Sequence, residues 1–119
     1  MLRYLGSVVL AMLLLPSWAW GHAHLEESDP ADGAELDSAP AALLLEFSEG
    51  VELRFSSFEL VGDGGEALEV TAEAGDDSAM QVELEPEEEI AAGDWRLVWE
   101  VLAEDGHTTS GEVHFTVSE

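Results

Sequence analysis

Cysteine is absent from the 119 residues. Disulfides are therefore excluded, as are thiolate sites for structural zinc, iron–sulfur clusters or blue copper, so an exported domain of this size must rely on its core alone. Lysine is absent too. Three arginines stand against 27 acidic residues, for a formal net charge of −24. A surface of that sign repels nucleic acid and anionic membranes and attracts cations. It equally suits a solvated face in saline or alkaline surroundings, and it identifies no function. No apolar run reaches the roughly 20 residues of a membrane-spanning helix. There is no helical period of any length, no internal repeat and no linker that would divide the chain; Glu87 to Ala92 reads as a loop or a single helical turn.

What is present begins with a leader. Residues 1–21 read as a secretory signal peptide: Arg3 supplies the charged start, Val8 to Leu15 the apolar centre, and Ala19 and Gly21 the small residues at −3 and −1 of a cleavage site. An uncleaved N-terminal anchor is the competing reading of the same stretch. Cleavage after Gly21 leaves residues 22–119 as one small domain that starts at His22.

Beyond the leader the apolar residues alternate over short segments. Leu43, Leu45 and Phe47 form one set, and Phe58 and Leu60 form the next, ahead of the hairpin signal Gly62-Asp63-Gly64-Gly65. Leu68, Val70 and Ala72 follow, then Met80, Val82 and Leu84, with a turn expected at Gly75-Asp76-Asp77-Ser78. Trp95, Leu97, Trp99 and Val101 make the longest run, and Val113, Phe115 and Val117 close the chain. With an opening strand near His24 to Glu27, the pattern predicts an all-β sandwich or barrel of about seven strands. Trp95, Trp99 and Met80 are expected in its core, and His114, out of phase with its neighbours, is expected to face solvent.

The chemistry concentrates on histidine. A mature N-terminal His22 offers an α-amino nitrogen and a ring nitrogen that together chelate one metal ion in a plane. Copper(II) favours such tetragonal nitrogen and oxygen ligation and stands highest in the divalent affinity order. Asp105 and His107 flank Gly106, which lets a tight loop turn both side chains to one point. Amine, two imidazoles and a carboxylate would complete the equatorial plane of one copper(II) ion. His22-Ala23-His24 also permits a competing mode, in which a free amine, two backbone amides and the third-position imidazole of His24 wrap copper(II). Strand geometry at those amides disfavours it. The acidic runs Glu26-Glu27 and Glu87-Glu88-Glu89 lack any EF-hand loop and read as solvated charge.

His22-Ala23-His24-Leu25, Ser28 to Ala34, Phe47-Ser48-Glu49, Trp99, Asp105-Gly106-His107 and Gly111 to Val117 occur in this order along residues 22–119. In this the chain resembles the copper resistance protein C (CopC) family of periplasmic copper-binding proteins. The resemblance implies an immunoglobulin-like, Greek-key β-sandwich or barrel, and one copper(II) per chain held by the His22 amine and ring, Asp105 and His107. It also implies a place near the metal for Glu49. Some members carry a methionine-rich segment for copper(I). Here Met80 is the one methionine beyond the leader, so the chain resembles the copper(II)-only type.

The expected function is accordingly a periplasmic role in binding rather than catalysis: a monomeric carrier or buffer in copper homeostasis or resistance, not an enzyme, with an inner-membrane copper transporter as the partner that the resemblance implies. Two other readings stand beside it. One is an oxidative enzyme with a histidine brace, like the lytic polysaccharide monooxygenases; against it stand the short chain, a carboxylate where oxygen would bind, and no evident aromatic platform. The other is a metal-free adhesion or structural β-module.

Overall fold

The computed structural model describes residues 23–75 and 79–119. The leader, His22 and most of the turn expected at Gly75 to Ser78 lie outside the described residues. Nine strands are present among those described: β1 (Leu25–Asp29), β2 (Ala34–Leu36), β3 (Leu43–Phe47), β4 (Ser57–Gly62), β5 (Ala67–Leu68), β6 (Val70–Ala74), β7 (Gln81–Pro86), β8 (Gly93–Leu102) and β9 (Thr108–Val117). They form two sheets, ordered β1-β3-β7-β6 and β2-β9-β8-β4-β5. Every pairing is antiparallel except β2 with β9.

This is an immunoglobulin-like sandwich. Seven strands reproduce the four-plus-three arrangement of that fold, and β2 and β5 are short additions at the two edges of the second sheet. The excess over the expected seven has a local cause. The apolar alternation at Leu68, Val70 and Ala72 looks continuous, but the chain breaks at Glu69. Leu68 pairs with Leu60 on β4, whereas Ala72 pairs with Leu84 on β7, so one apparent strand serves both sheets. No helix forms over Glu87 to Ala92. A single 3-10 turn at Leu53–Phe55 leads into β4.

The core follows the alternation. Leu43, Leu45 and Phe47 of β3, Val82 and Leu84 of β7, Trp95, Leu97, Trp99 and Val101 of β8, and Val113, Phe115 and Val117 of β9 are all buried between the sheets. Side chains two residues apart share a face of a strand, so each run delivers its apolar set inward together. Full burial of each such residue stabilises by about 1.5–3 kcal/mol before entropy is counted. The interior is dry: no polar or charged residue is buried among the described residues.

Met80 departs from expectation. It is exposed, because β7 begins only at Gln81 and Ala79 just before it takes a left-handed backbone (φ 59°). The alternation carried through Met80, whose carbonyl still accepts the Phe47 N–H at 2.8 Å, but its side chain is left outside the core. The expectations for Trp95, Trp99 and His114 agree with the structure: both tryptophans are buried and the histidine is exposed.

Candidate metal centre

The loop between β8 and β9 is built by its own turn chemistry. The Gly106 N–H donates to the Ala103 carbonyl (2.9 Å) and the Ala103 N–H donates to the His107 carbonyl (2.8 Å), closing a tight connection. Gly106 has φ +94°, a conformation that a Cβ disfavours. Asp105 then folds back: its Oδ1 accepts the His107 backbone N–H at 3.0 Å, an Asx turn. The same carboxylate reaches the imidazole, with Oδ2 3.1 Å from Nδ1. The His107 side chain remains 61% exposed and the Asp105 side chain 26% exposed.

Neighbouring chain segments fix this loop in place. Val51 forms an isolated bridge with Ala103, the Glu104 N–H donates to the Gly50 carbonyl and the Glu52 N–H donates to the Leu102 carbonyl. The backbone of Glu49 therefore adjoins the segment that pairs with the loop. Glu49 itself is half-buried.

The described chain begins at the same end of the sandwich. Ala23 is fully buried, and its carbonyl accepts a hydrogen bond from Thr109 Oγ1 at 2.8 Å. The His24 N–H donates to Ser48 Oγ and the Ser48 N–H donates to the His24 carbonyl, both at 2.8 Å. Of the residues singled out in the sequence, Asp105 and His107 are in contact. His24 and Glu49 lie on the two segments beside them, and His22 adjoins Ala23 just outside the described residues.

His114 stands elsewhere, on the outer face of the second sheet. Its ring nitrogens lie 3.5 Å from Asp32 Oδ1 and 3.3 Å from Glu112 Oε1. A hollow of about 710 Å³ is bordered by Phe58, Leu68, Val70 and Trp99, and none of the candidate ligands borders it.

Asp105 and His107 could supply one oxygen and one nitrogen donor to a first-row divalent ion. With metal–ligand bonds of about 2.0–2.2 Å, donors 3.1 Å apart subtend an angle of about 90–100° at the ion. That is the cis angle of a tetragonal site. The same contact also suits a carboxylate that accepts the Nδ1 proton and leaves Nε2 to bind the metal. Among the described residues no group of three or more His, Asp or Glu side chains is arranged around a common point. Asp105 and His107 supply two donors, so a full coordination sphere needs others.

A family model described as the CopC domain matches residues 25–118. The chain belongs to the CopC family. It is 34% identical over 117 residues to protein YobA of Escherichia coli K12, covering 98% of this chain and 94% of that one. It is 30% identical over 117 residues to copper resistance protein C of Pseudomonas syringae pv. tomato, covering 93% and 92% of the two chains. Among solved structures, CopC from Methylosinus trichosporium OB3b superposes with a TM-score of 0.76 at 28% identity, over 82% of this chain and 94% of that one. The CopC match includes the β8–β9 loop and Glu49, and it starts one residue after His24.

Sequence reasoning missed two residues at this end, Ser48 and Thr109. Ser48 belongs to the Phe47-Ser48-Glu49 motif, and Thr109 lies two positions past His107. Nothing in their spacing signals that their hydroxyls meet Ala23 and His24, since Thr109 lies 86 positions from its partner.

Proposed function

We propose that this CopC-family protein is an exported copper(II) carrier or buffer that binds one ion without turnover. The His22 amine and ring, Asp105 and His107 hold the copper, and Glu49 stands beside them. The observation that carries this reading is the Thr109–Ala23 hydrogen bond. It ties the residue after His22 to a position two residues beyond His107, whose ring contacts the Asp105 carboxylate. The relatedness to copper resistance protein C supports copper as the cargo.

Binding proceeds by ligand geometry and deprotonation. Nitrogen donors must shed their protons before they ligate, so uptake of the ion releases protons. The acidic surface raises the local cation concentration and speeds capture. Cleavage after Gly21 creates the amine, which places the protein in the periplasm, and a monomer then hands copper to an inner-membrane transporter. The three-point tether of amine, imidazole and loop retains copper until a partner supplies competing ligands.

The test is to extend the mature chain by one residue before His22 and to measure copper(II) affinity by competition with a chelator. The extended protein should bind far more weakly, because the amine no longer chelates together with its ring. Equal binding by the two proteins would refute the brace. Ascorbate-driven oxygen or peroxide turnover by the copper-loaded protein should stay at the level of free copper; sustained, substrate-dependent turnover would favour an oxidative enzyme.

A further inference from the structure

Two hydroxyl side chains from different parts of the fold grip two consecutive residues at the start of the described chain. Thr109, the second residue of β9, donates its hydroxyl to the Ala23 carbonyl at 2.8 Å. Ser48, just past the end of β3, accepts the His24 N–H on its hydroxyl oxygen at 2.8 Å and donates its own N–H to the His24 carbonyl. Ala23 itself is fully buried as part of the core. Neither hydroxyl is required by strand pairing, since β1 starts only at Leu25 and its ladder to β3 begins with Leu25 opposite Phe47.

We propose that Ser48 and Thr109 are positioning residues for the copper chelate, and that together they decide which of two binding modes the N-terminus adopts. The inference rests on the proposed brace. Thr109 ties Ala23, the residue directly after position 22, to β9 two positions beyond His107. Ser48 acts on the alternative. Wrapping by His22-Ala23-His24 requires the His24 amide nitrogen to bind copper, and that nitrogen is instead a donor to Ser48 Oγ. Wrapping also requires the Ala23 peptide to turn toward the ion, which would pull the Ala23 carbonyl from Thr109 and its methyl from the core. The clamp therefore favours side-chain and amine ligation over the wrapped mode.

The experiment uses the mature protein loaded with one equivalent of copper(II) at neutral pH, in five forms: native, Ser48→Ala, Thr109→Val, Thr109→Ser and the Ser48→Ala, Thr109→Val double variant. Copper release to excess chelator, the electron paramagnetic resonance spectrum and the apo melting temperature are measured for each. Thr109→Val and Ser48→Ala should release copper roughly three- to tenfold faster, the effect of one net hydrogen bond. Thr109→Ser keeps the hydroxyl and should stay within about twofold of native. The Ser48→Ala, Thr109→Val double variant should show a second spectral species with additional nitrogen coupling from bound amides. Native release rates and native spectra in both hydroxyl-free variants would overturn the proposal, even if their melting temperatures fall. The chain extended before His22 separates the two ideas. If extension leaves copper binding intact, the brace itself has failed; if extension weakens it and the clamp variants behave as native, only the clamp has.

Discussion

Gly111 of β9 lies flat against the indole of Trp99, its partner on β8: a Cβ at position 111 would stand 2.6 Å from Cζ2 and 2.9 Å from Cε2 of that ring. Glycine in a strand interior costs conformational entropy and packs nothing, so it persists where another group needs the space. Here the group is a buried ring that also meets Phe47 edge-on, with centroids 5.3 Å apart at 75°. A shift of the Trp99 ring toward Phe47 would disturb that contact, and Phe47 leads directly into Ser48 and Glu49. Gly111→Ala should therefore destabilise by about 1–3 kcal/mol, the usual cost of overpacking. Chemical denaturation checks this, and a change within about 0.5 kcal/mol, the range of neutral surface changes, would show that the ring yields freely.

Like charges face each other directly across two strand pairs. Glu73 on β6 is opposite Glu83 on β7, and Glu27 on β1 is opposite Glu46 on β3. Such pairs oppose folding by about 0.2–1 kcal/mol each. Glu73→Lys turns one repulsive pair attractive on an exposed face, and should raise stability by up to about 1 kcal/mol at low salt. The gain should shrink in high salt, where screening has already relieved the repulsion. A gain that persists unchanged at high salt would assign the effect to something other than charge.

Salt should also separate stability from copper capture. With 27 acidic residues and three basic ones in the chain, added sodium chloride weakens self-repulsion and should raise the melting temperature of the apo protein. The same screening weakens cation steering, so the association rate for copper(II) should fall. Stopped-flow mixing with tryptophan fluorescence as the readout measures it. A rate that is flat with ionic strength would leave the acidic surface without a part in copper uptake.

Copper occupancy should decline on acidification. Amine and imidazole nitrogens bind protons in competition with the metal, so lower pH favours the apo form and higher pH the loaded one. Because each bound ion displaces protons, the logarithm of the apparent affinity should rise with pH over the range where those nitrogens titrate. Chelator competition across a pH series measures the slope. Affinity that does not change with pH would be incompatible with nitrogen ligation.

Much of the fold was legible because a sandwich strand exposes one face and buries the other. Leu43, Leu45 and Phe47, or Trp95, Leu97, Trp99 and Val101, show that alternation without interruption, and each set is buried. The same rule misled at two places. Alternation survives the break at Glu69 because both short strands present their apolar residues to the same interior, and it extended through Met80 because nothing apolar or polar marks where β7 starts. The β8–β9 loop was legible for a different reason: Asp-Gly-His carries its own turn chemistry, so Asp105 and His107 meet through local bonds alone. Ser48 and Thr109 were not: the Ser48 contact depends on the register of β1 against β3, and the Thr109 contact on how the second sheet meets the start of the first.

The two arrangements open to Asp105 differ in a measurable way. As a copper ligand, its carboxylate would sit in the equatorial plane, and Asp105→Asn would replace a charged oxygen donor with a neutral one. As an orienting group, the carboxylate would accept the Nδ1 proton of His107 and never touch the ion; Asn retains an acceptor oxygen, and losses at such outer positions are about 10–100-fold in metal affinity. The brace reading requires the first arrangement. Asp105→Asn should therefore alter the copper(II) resonance spectrum as well as weaken binding, while His107→Ala should remove a nitrogen coupling. A weaker Asp105→Asn complex with a native spectrum would move Asp105 out of the plane and leave that equatorial position to water or to Glu49. Because the Asx turn from Oδ1 to the His107 N–H survives in asparagine, the loop keeps its shape and the spectrum reports the ligand alone.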